Sequence, residues 1–291
     1  MIVKVSNYIF PTVEEFWKRR GILEIIRKRG AKAAITDFSI LLGGWVERDD
    51  SYYTHIDNDD SLAGRTGYYW TRSSDDGESG MSVIGYNGVD SWSNIFDRNV
   101  GARPALPFSS IDKIPTNGVN GKDTDGVKYV EYGFYPQSVA TKTLQLELEQ
   151  QFNKGKLNST GNRYTTDSRK YDEYKKKHRY QGHEEYEYKG KRYIRVKANL
   201  SIKGEKIKLS NEETYRSGDI VWVNVEPIKW LISERENLMI TEKIIFAGIQ
   251  FKSEKGYDTN DFENTDIYEF TNNIWSKDIE QVRNKRKKHR K

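Results

Sequence analysis

Residues 67–106, GYYWTRSSDDGESGMSVIGYNGVDSWSNIFDRNVGARPAL, constrain the fold more than any other stretch of the chain. Three aromatics and an arginine stand almost side by side at its start (Tyr68, Tyr69, Trp70, Arg72), and it closes on Val100-Gly101-Ala102-Arg103-Pro104-Ala105-Leu106. Short apolar runs bounded by turn residues read as strands. Asn87-Gly88, set between Val83-Ile84 and Val89, is a hairpin signal, because the favoured two-residue turn needs positive φ and Asn and Gly tolerate it. A chain organised around this stretch builds β-structure.

Composition points the same way. Apolar residues make up 35% of the 291 and charged residues 31%, with a mean hydropathy of −0.86. Much of the apolar content is therefore aromatic, 11 Phe, 7 Trp and 19 Tyr, which suits Tyr-rich sheets better than a Leu/Ala helical bundle. The length exceeds a usual single domain of roughly 100–200 residues, so two units or one extended unit are expected. With no cysteine, disulfides, thiolate metal sites and cysteine nucleophiles are all excluded. No signal peptide is apparent in MIVKVSNYIFPTVEEFW and no run of about 18 apolar residues occurs, so a cytoplasmic or virion-associated protein with no membrane partner is expected. The formal charge of +5 is misleading: residues 283–291, RNKRKKHRK, carry seven Lys/Arg and no acid, which leaves the other 282 residues at −2. Weak nonspecific nucleic-acid attraction, if present, is expected from that disordered tail and not from a near-neutral body.

In chain order, Thr12-Val13-Glu14-Glu15 has capping-box spacing and opens a helix toward Gly30. Residues 33–42 meet a Gly43-Gly44-Trp45 bend, and 47–64 form an acidic loop. The loop lacks a calcium pattern, since the sixth- and twelfth-position residues are Leu62 and Tyr68. The Pro-, Gly- and Asn-rich run after Leu106 reads as a linker, with boundaries at 1–121, 122–282 and a basic tail 283–291. Residues 143–154 predict a helix with a narrow apolar face (Leu144, Leu148, Phe152, with Leu146 off it) stopped by Gly155. Residues 158–182 show no clean period and read as irregular. Residues 184–196 form a hairpin turning at Lys189-Gly190, followed by strands 219–233 and 237–247, with Pro227 at a bend or strand edge. Two short helices over 264–282 take Thr265 and Ser276 as N-caps, docked by Phe270, Ile274 and Trp275.

The YWTRSS and GARPAL segments resemble the paired strands of C-type-lectin-like modules of bacterial and phage proteins, relatives of sulfatase-modifying and retroelement-diversified binding domains, in which the two lie in one small sheet. Residues VEPIKWLIS and NLMITEKII resemble the core hairpin of the same family, but stand after the first pair. The resemblance implies an α+β, C-type-lectin-like mixed sheet with flanking helices, either permuted or built from two complementary halves. It also implies a binding role. The family's enzymes use their own cysteines, absent here, and the family's sugar-coordinating motif is not met by Glu226-Pro227-Ile228 or Trp92-Ser93-Asn94.

His178 and His183 stand five apart without a cysteine nearby, and no nucleophile elbow, phosphate loop or zinc-protease motif occurs. The expected function is thus a non-enzymatic module without cofactor that binds a protein or glycan. Its binding residues are taken from Tyr69, Arg72, Tyr86, Asn87, Ser91, Trp92, Ser93, Asn94, Asp97 and Arg103, because Tyr, Trp, Ser and Asn make adaptable surfaces at low entropic cost. Against this, Trp92 and Phe96 could be core, and Arg72 and Arg103 buried framework tied to carbonyls and carboxylates. A virion component or inhibitor of a host defence protein is the alternative, and an uncharacterised hydrolase the third reading.

Overall fold

The computed structural model describes residues 8–12, 31–46, 66–74, 80–85, 88, 90–107, 121–122, 126–172, 177–201, 206–252 and 259–279. The helix from Thr12, the acidic loop, most of the linker and the basic tail lie outside them. Among the described residues, antiparallel strands dominate and helices are few, the first being the short α1 (Asp37–Leu41), and no helix is long and apolar enough to cross a membrane.

A three-stranded sheet is formed by β1 (Tyr69–Ser74), β2 (Gly80–Ile84) and β3 (Asp90–Asn94), in that order. The large sheet runs β4 (Ala105–Pro107), β13 (Leu238–Thr241), β12 (Ile220–Ser233), β9 (Lys191–Lys197), β8 (Lys177–Tyr188) and β7 (Asn158–Asp172). Alongside β12 lies β6 (Lys128–Val139), itself paired with β5 (Gly121–Lys122). A small pair, β10 (Lys206–Lys208) and β11 (Thr214–Arg216), completes the strands among the described residues. YWTRSS and GARPAL do not share a sheet as the resemblance implied. They touch through one parallel bridge, Tyr69 to Gly101, after which Ala105–Pro107 turns away to pair with β13. Gly101 permits this approach, because a Cβ there would lie 2.3 Å from Ile244 Cγ2.

Strand β12 organises the large sheet. One of its edges takes β9 and then β13, and the other takes β6. Val221, Val223 and Val225 face the main core, while Trp222 faces α2 (Lys142–Asn153). On that helix Leu148 is fully buried, Leu144 and Phe152 pack beside Trp222, and Leu146 points to solvent, as the apolar stripe predicts. Gly155, at φ +65, closes the helix, its N–H donating to the Phe152 carbonyl and that of Lys156 to Gln151, the bond pair of a Schellman motif. Gln145 reaches into the sheet, accepting from Trp222 N and donating to Trp222 O, both at 2.8 Å. Pro227 lies inside β12 at a register irregularity, between Pro227 and Lys229, in keeping with the bend expected there. There Gln137 donates to the Pro227 carbonyl at 2.8 Å.

Residues 158–182 were expected to be irregular, but 158–172 and 177–182 are strand: β7 and β8 pair antiparallel along most of their length. The missing period has a chemical reason: inward positions are polar, with Asn162 and Thr166 buried on β7 and His183 and Glu185 on β8, so no apolar alternation marks these strands. Between Ser159 and Arg163, and again between Asp167 and Tyr171, four steps of β7 oppose two of β8. At the β8–β9 turn both Lys189 (φ +50) and Gly190 (φ +73) are left-handed, the geometry that matches strand twist.

One core spans both sides of residue 121. Ile35 bridges Ile244, Ala102 bridges Phe246, and Ile9 bridges Ala105. Trp275 is its aromatic hub, with ring centroids 5.1 Å from Tyr8, 5.6 Å from Phe246 and 6.0 Å from Tyr135. It is delivered by a helical run in which Thr265 caps α3 (Asp266–Glu269), its hydroxyl accepting from Tyr268 N. A π-turn over Phe270–Trp275 follows. Ser276 is no cap: its backbone is helical (φ −57, ψ −36), and its hydroxyl donates to Asn272 O one turn earlier.

Candidate functional site

Along β3 and the turn after it, inner and outer positions separate cleanly. Ser93 and Ile95 are buried, whereas Ser91, Trp92, Asn94 and Phe96 are exposed, Trp92 at 66% and Phe96 at 36%. Neither aromatic is core. A tryptophan so open is unusual, since burying such a ring is worth several kcal/mol. Strand β3 is also an edge of its sheet.

The turn presenting Phe96 is held from three directions. Asn94 accepts from Phe96 N through Oδ1 at 3.0 Å and from Asp97 N through its carbonyl at 2.8 Å. The Ser93 hydroxyl donates to Asp97 Oδ2 at 2.8 Å. Behind the turn, Phe251 N and Lys252 N both donate to Ile95 O, and Trp70 packs on Phe251 at 5.3 Å. Partial burial pushes the Asp97 carboxyl up from its usual range, and the Ser93 bond opposes that shift. The result is two aromatics with a Ser/Asn rim on a braced turn, an arrangement suited to contact with a planar or apolar ligand face.

The other sequence candidates fall elsewhere. Tyr69 and Arg103 are interior struts: Arg103 Nε donates to Thr241 O at 2.9 Å, its guanidinium lies 5.5 Å from the Tyr69 ring centre, and Tyr69 OH donates to Ala31 O at 2.6 Å. Burial raises the Tyr69 phenol, with Arg103 opposing. Arg72 is half-buried on β1, its backbone N–H donating to Pro11 O. Tyr86 and Asn87 lie outside the described residues; Gly88 is left-handed (φ +79), but its N–H donates to Gly85 O and Ile84 pairs with Asp90, so the connection is longer than the two-residue turn expected of Asn87-Gly88. The structure thus gathers Ser91, Trp92, Ser93, Asn94 and Asp97 and leaves Tyr69 and Arg103 inside.

Sequence reasoning missed an interior polar cluster under the β7–β8 hairpin. Glu185 has no exposed surface, and its carboxylate accepts from Thr160 Oγ1 (2.7 Å), Asn162 Nδ2 (2.8 Å) and Tyr164 OH (2.7 Å), with Arg192 at 3.6 Å. Asp278 accepts from Thr165 N at 2.6 Å, and burial pushes its carboxyl up to about 6. His183, 2.9 Å from Thr166 Oγ1, is pushed down by burial. Tyr135 and Tyr164 meet edge to face at 5.6 Å, both phenols raised by burial first and then by neighbouring carboxylates. The Glu185 carboxylate is filled by its donors and Asp278 and His183 each take a partner on β7, whereas the buried Tyr135 hydroxyl has no hydrogen-bond partner. A shallow acidic groove of about 330 Å³ lies against the helical segment, lined by Glu263, Asp266, Glu269 and their neighbours. Among the described residues no group of three or more His, Asp or Glu is placed to hold a metal ion. No family model matches the chain, and neither the curated proteins nor the solved structures contain a significant match to it.

Proposed function

We propose that the protein is a non-enzymatic binding module, of the C-type-lectin-like kind its strands resemble, that engages a protein or glycan through the outer face of β3. The observation that carries this reading is the pairing of Trp92 with Phe96 on a rigid, Ser/Asn-rimmed turn, where burial on folding gives no reason for either ring. A preorganised aromatic contact loses little entropy on binding, and buried aromatic anchors carry a large share of interface energies. The test is capture from bacterial lysate, and retention on immobilised glycans and cell envelopes, with the parent chain and a Trp92→Ala/Phe96→Ala variant. The parent should retain one ligand class and the variant should lose it by tenfold or more, on the order of 1.4 kcal/mol, with its melting temperature within about 2 °C. Equal retention by the variant would sink the proposal.

A further inference from the structure

We propose that the outer edge of β3 takes an extended peptide segment as a fourth strand of its sheet, with Trp92 gripping the side chains of that segment. This deepens the binding role given above to the same surface and rests on it. The direction of the edge follows from the hydrogen bonds of the neighbouring strands. On β1, Trp70 N donates to Gly101 O, on the side away from β2. Its rung with Val83 is therefore not a bonded one, and in a strand paired antiparallel on both sides a residue unbonded to one neighbour bonds to the other. Val83 thus turns its N–H and C=O to Ser91 on β3. Ser82, next along β2, turns to β1, where its carbonyl accepts from Thr71 Oγ1 at 2.7 Å.

Alternation then sets β3: Ser91 and Ser93 bond to β2, while Asp90, Trp92 and Asn94 direct their N–H and C=O outward. Asn94 shows this directly, since its carbonyl accepts from Asp97 N in the turn. That bond ends the strand and leaves the backbone groups of Asp90 and Trp92 facing out. Among the described residues no strand pairs with this edge, and no backbone group beyond the sheet bonds to Asp90 or Trp92. The register from Asp90 to Asn94 is unbroken, and DSWSN contains neither lysine nor a proline that would delete a donor.

Two outward residues two positions apart repeat donor and acceptor at roughly 7 Å, the repeat of an extended polypeptide, and an added strand meets each of them with its own amide and carbonyl. A sugar chain has no such series of amides. The side chain directly opposite Trp92 lies on the same face as the indole, which is 66% exposed, so a β-branched or aromatic residue there gains a cross-strand contact. Phe96, exposed on the turn that closes the strand, lengthens the apolar track. A second copy of this chain is the poorer occupant. Its β3 has five residues and ends in the same braced turn, far short of the roughly 20–30 residues a side that a stable interface engages, whereas a short segment can bend to follow both rings.

Selection from a phage-displayed library of random 12-residue peptides on the immobilised full chain supplies the probe. The best peptide is then made with an N-methyl group on each residue in turn, and its affinity is measured by fluorescence anisotropy. Selected peptides should carry β-branched or aromatic residues at alternating positions. N-methylation should weaken binding tenfold or more at every second residue of the paired stretch and less than about twofold between them, because only alternate amides face β3. Asp90→Pro removes one outward donor at the first residue of the strand, where proline is tolerated, and leaves both rings in place; it should weaken binding about tenfold with a melting temperature within about 2 °C of the parent. If that variant melts lower, the N-methyl scan on the parent decides alone. A selection that yields no peptide, a scan without a period of two, or full binding by a well-folded Asp90→Pro variant overturns the proposal. A dimer in sedimentation that Asp90→Pro dissolves overturns it too, in favour of a second copy. If the Trp92→Ala/Phe96→Ala variant keeps the peptide, the β3 surface itself is the wrong site and both readings fall; if it loses the peptide while the scan is flat, only the strand pairing falls.

Discussion

Replacing Asp278 with asparagine should stabilise the protein at neutral pH and change how stability depends on pH. The carboxyl is buried between the helical segment and β7, and its folded value of about 6 stands some two units above the ordinary 3.8. At about 1.4 kcal/mol per unit this is a penalty of ~3 kcal/mol for folding with the charged form. The sign follows from proton uptake: between the two values the folded chain holds a proton that the unfolded chain has released. Stability from this group is therefore complete below about 4 and is lost as pH rises through 6. The amide keeps an acceptor for Thr165 N and carries no charge toward Tyr135 and Tyr164. The Asp278→Asn variant should thus exceed the parent by up to ~3 kcal/mol at pH 8, falling to roughly half that at pH 5 by the same linkage. His183 acts in the opposite direction. Its folded value is lowered, so its contribution is lost as pH falls below the ordinary imidazole range, and acidification should weaken the variant more steeply than the parent. Urea unfolding at pH 5, 6, 7 and 8 gives all of these quantities. A variant less stable than the parent at pH 8, or an advantage that does not shrink on acidification, would refute the reasoning.

Gly101→Ala should cost about 1–3 kcal/mol in urea unfolding, because its Cβ would overlap Ile244 Cγ2. Leu148→Ala should cost about 2–5 kcal/mol, whereas Leu146→Ala two residues earlier should stay within about 0.5 kcal/mol, since only the first is buried. A fragment ending at residue 121 should fail to unfold cooperatively by circular dichroism, because β4 loses β13 and Arg103 loses the Thr241 carbonyl. A sharp melting transition from that fragment would show that the shared core is not required.

Elements whose determinants are local were legible in the chain. The α2 stripe follows from side chains three and four apart, the Lys189-Gly190 turn from left-handed tolerance, and the Thr265 cap from a hydroxyl placed before a helix. The β7–β8 pairing was not legible, because buried positions in it are polar (Asn162, Thr166, His183, Glu185) and leave no apolar alternation by which a strand is recognised. Ser276 has the residue type of a cap but sits where a π-turn carries the helix through. For the candidate surface, sequence parity places Trp92 opposite in direction to Ser93, but which of the two faces is covered depends on residues 250–252 closing behind Ile95. The Glu185 cluster was equally hidden: its donors reach the carboxylate only because the first bulge brings Thr160 and Asn162 across from it.

The Gln145 amide has a consequence for how molecules of this protein meet one another. Strand β6 ends at Val139, which pairs with Val223, and Ala140 N still donates to the Trp222 carbonyl, so the next position along that side of β12 would present an open N–H and a carbonyl with one donor only. An exposed rung of this kind is a template for a strand from a second molecule. Gln145 supplies one acceptor and one donor to those same two atoms, so the side chain of a helix occupies the place a foreign backbone would take. The helix that buries Trp222 is thereby also a guard against edge-to-edge self-association.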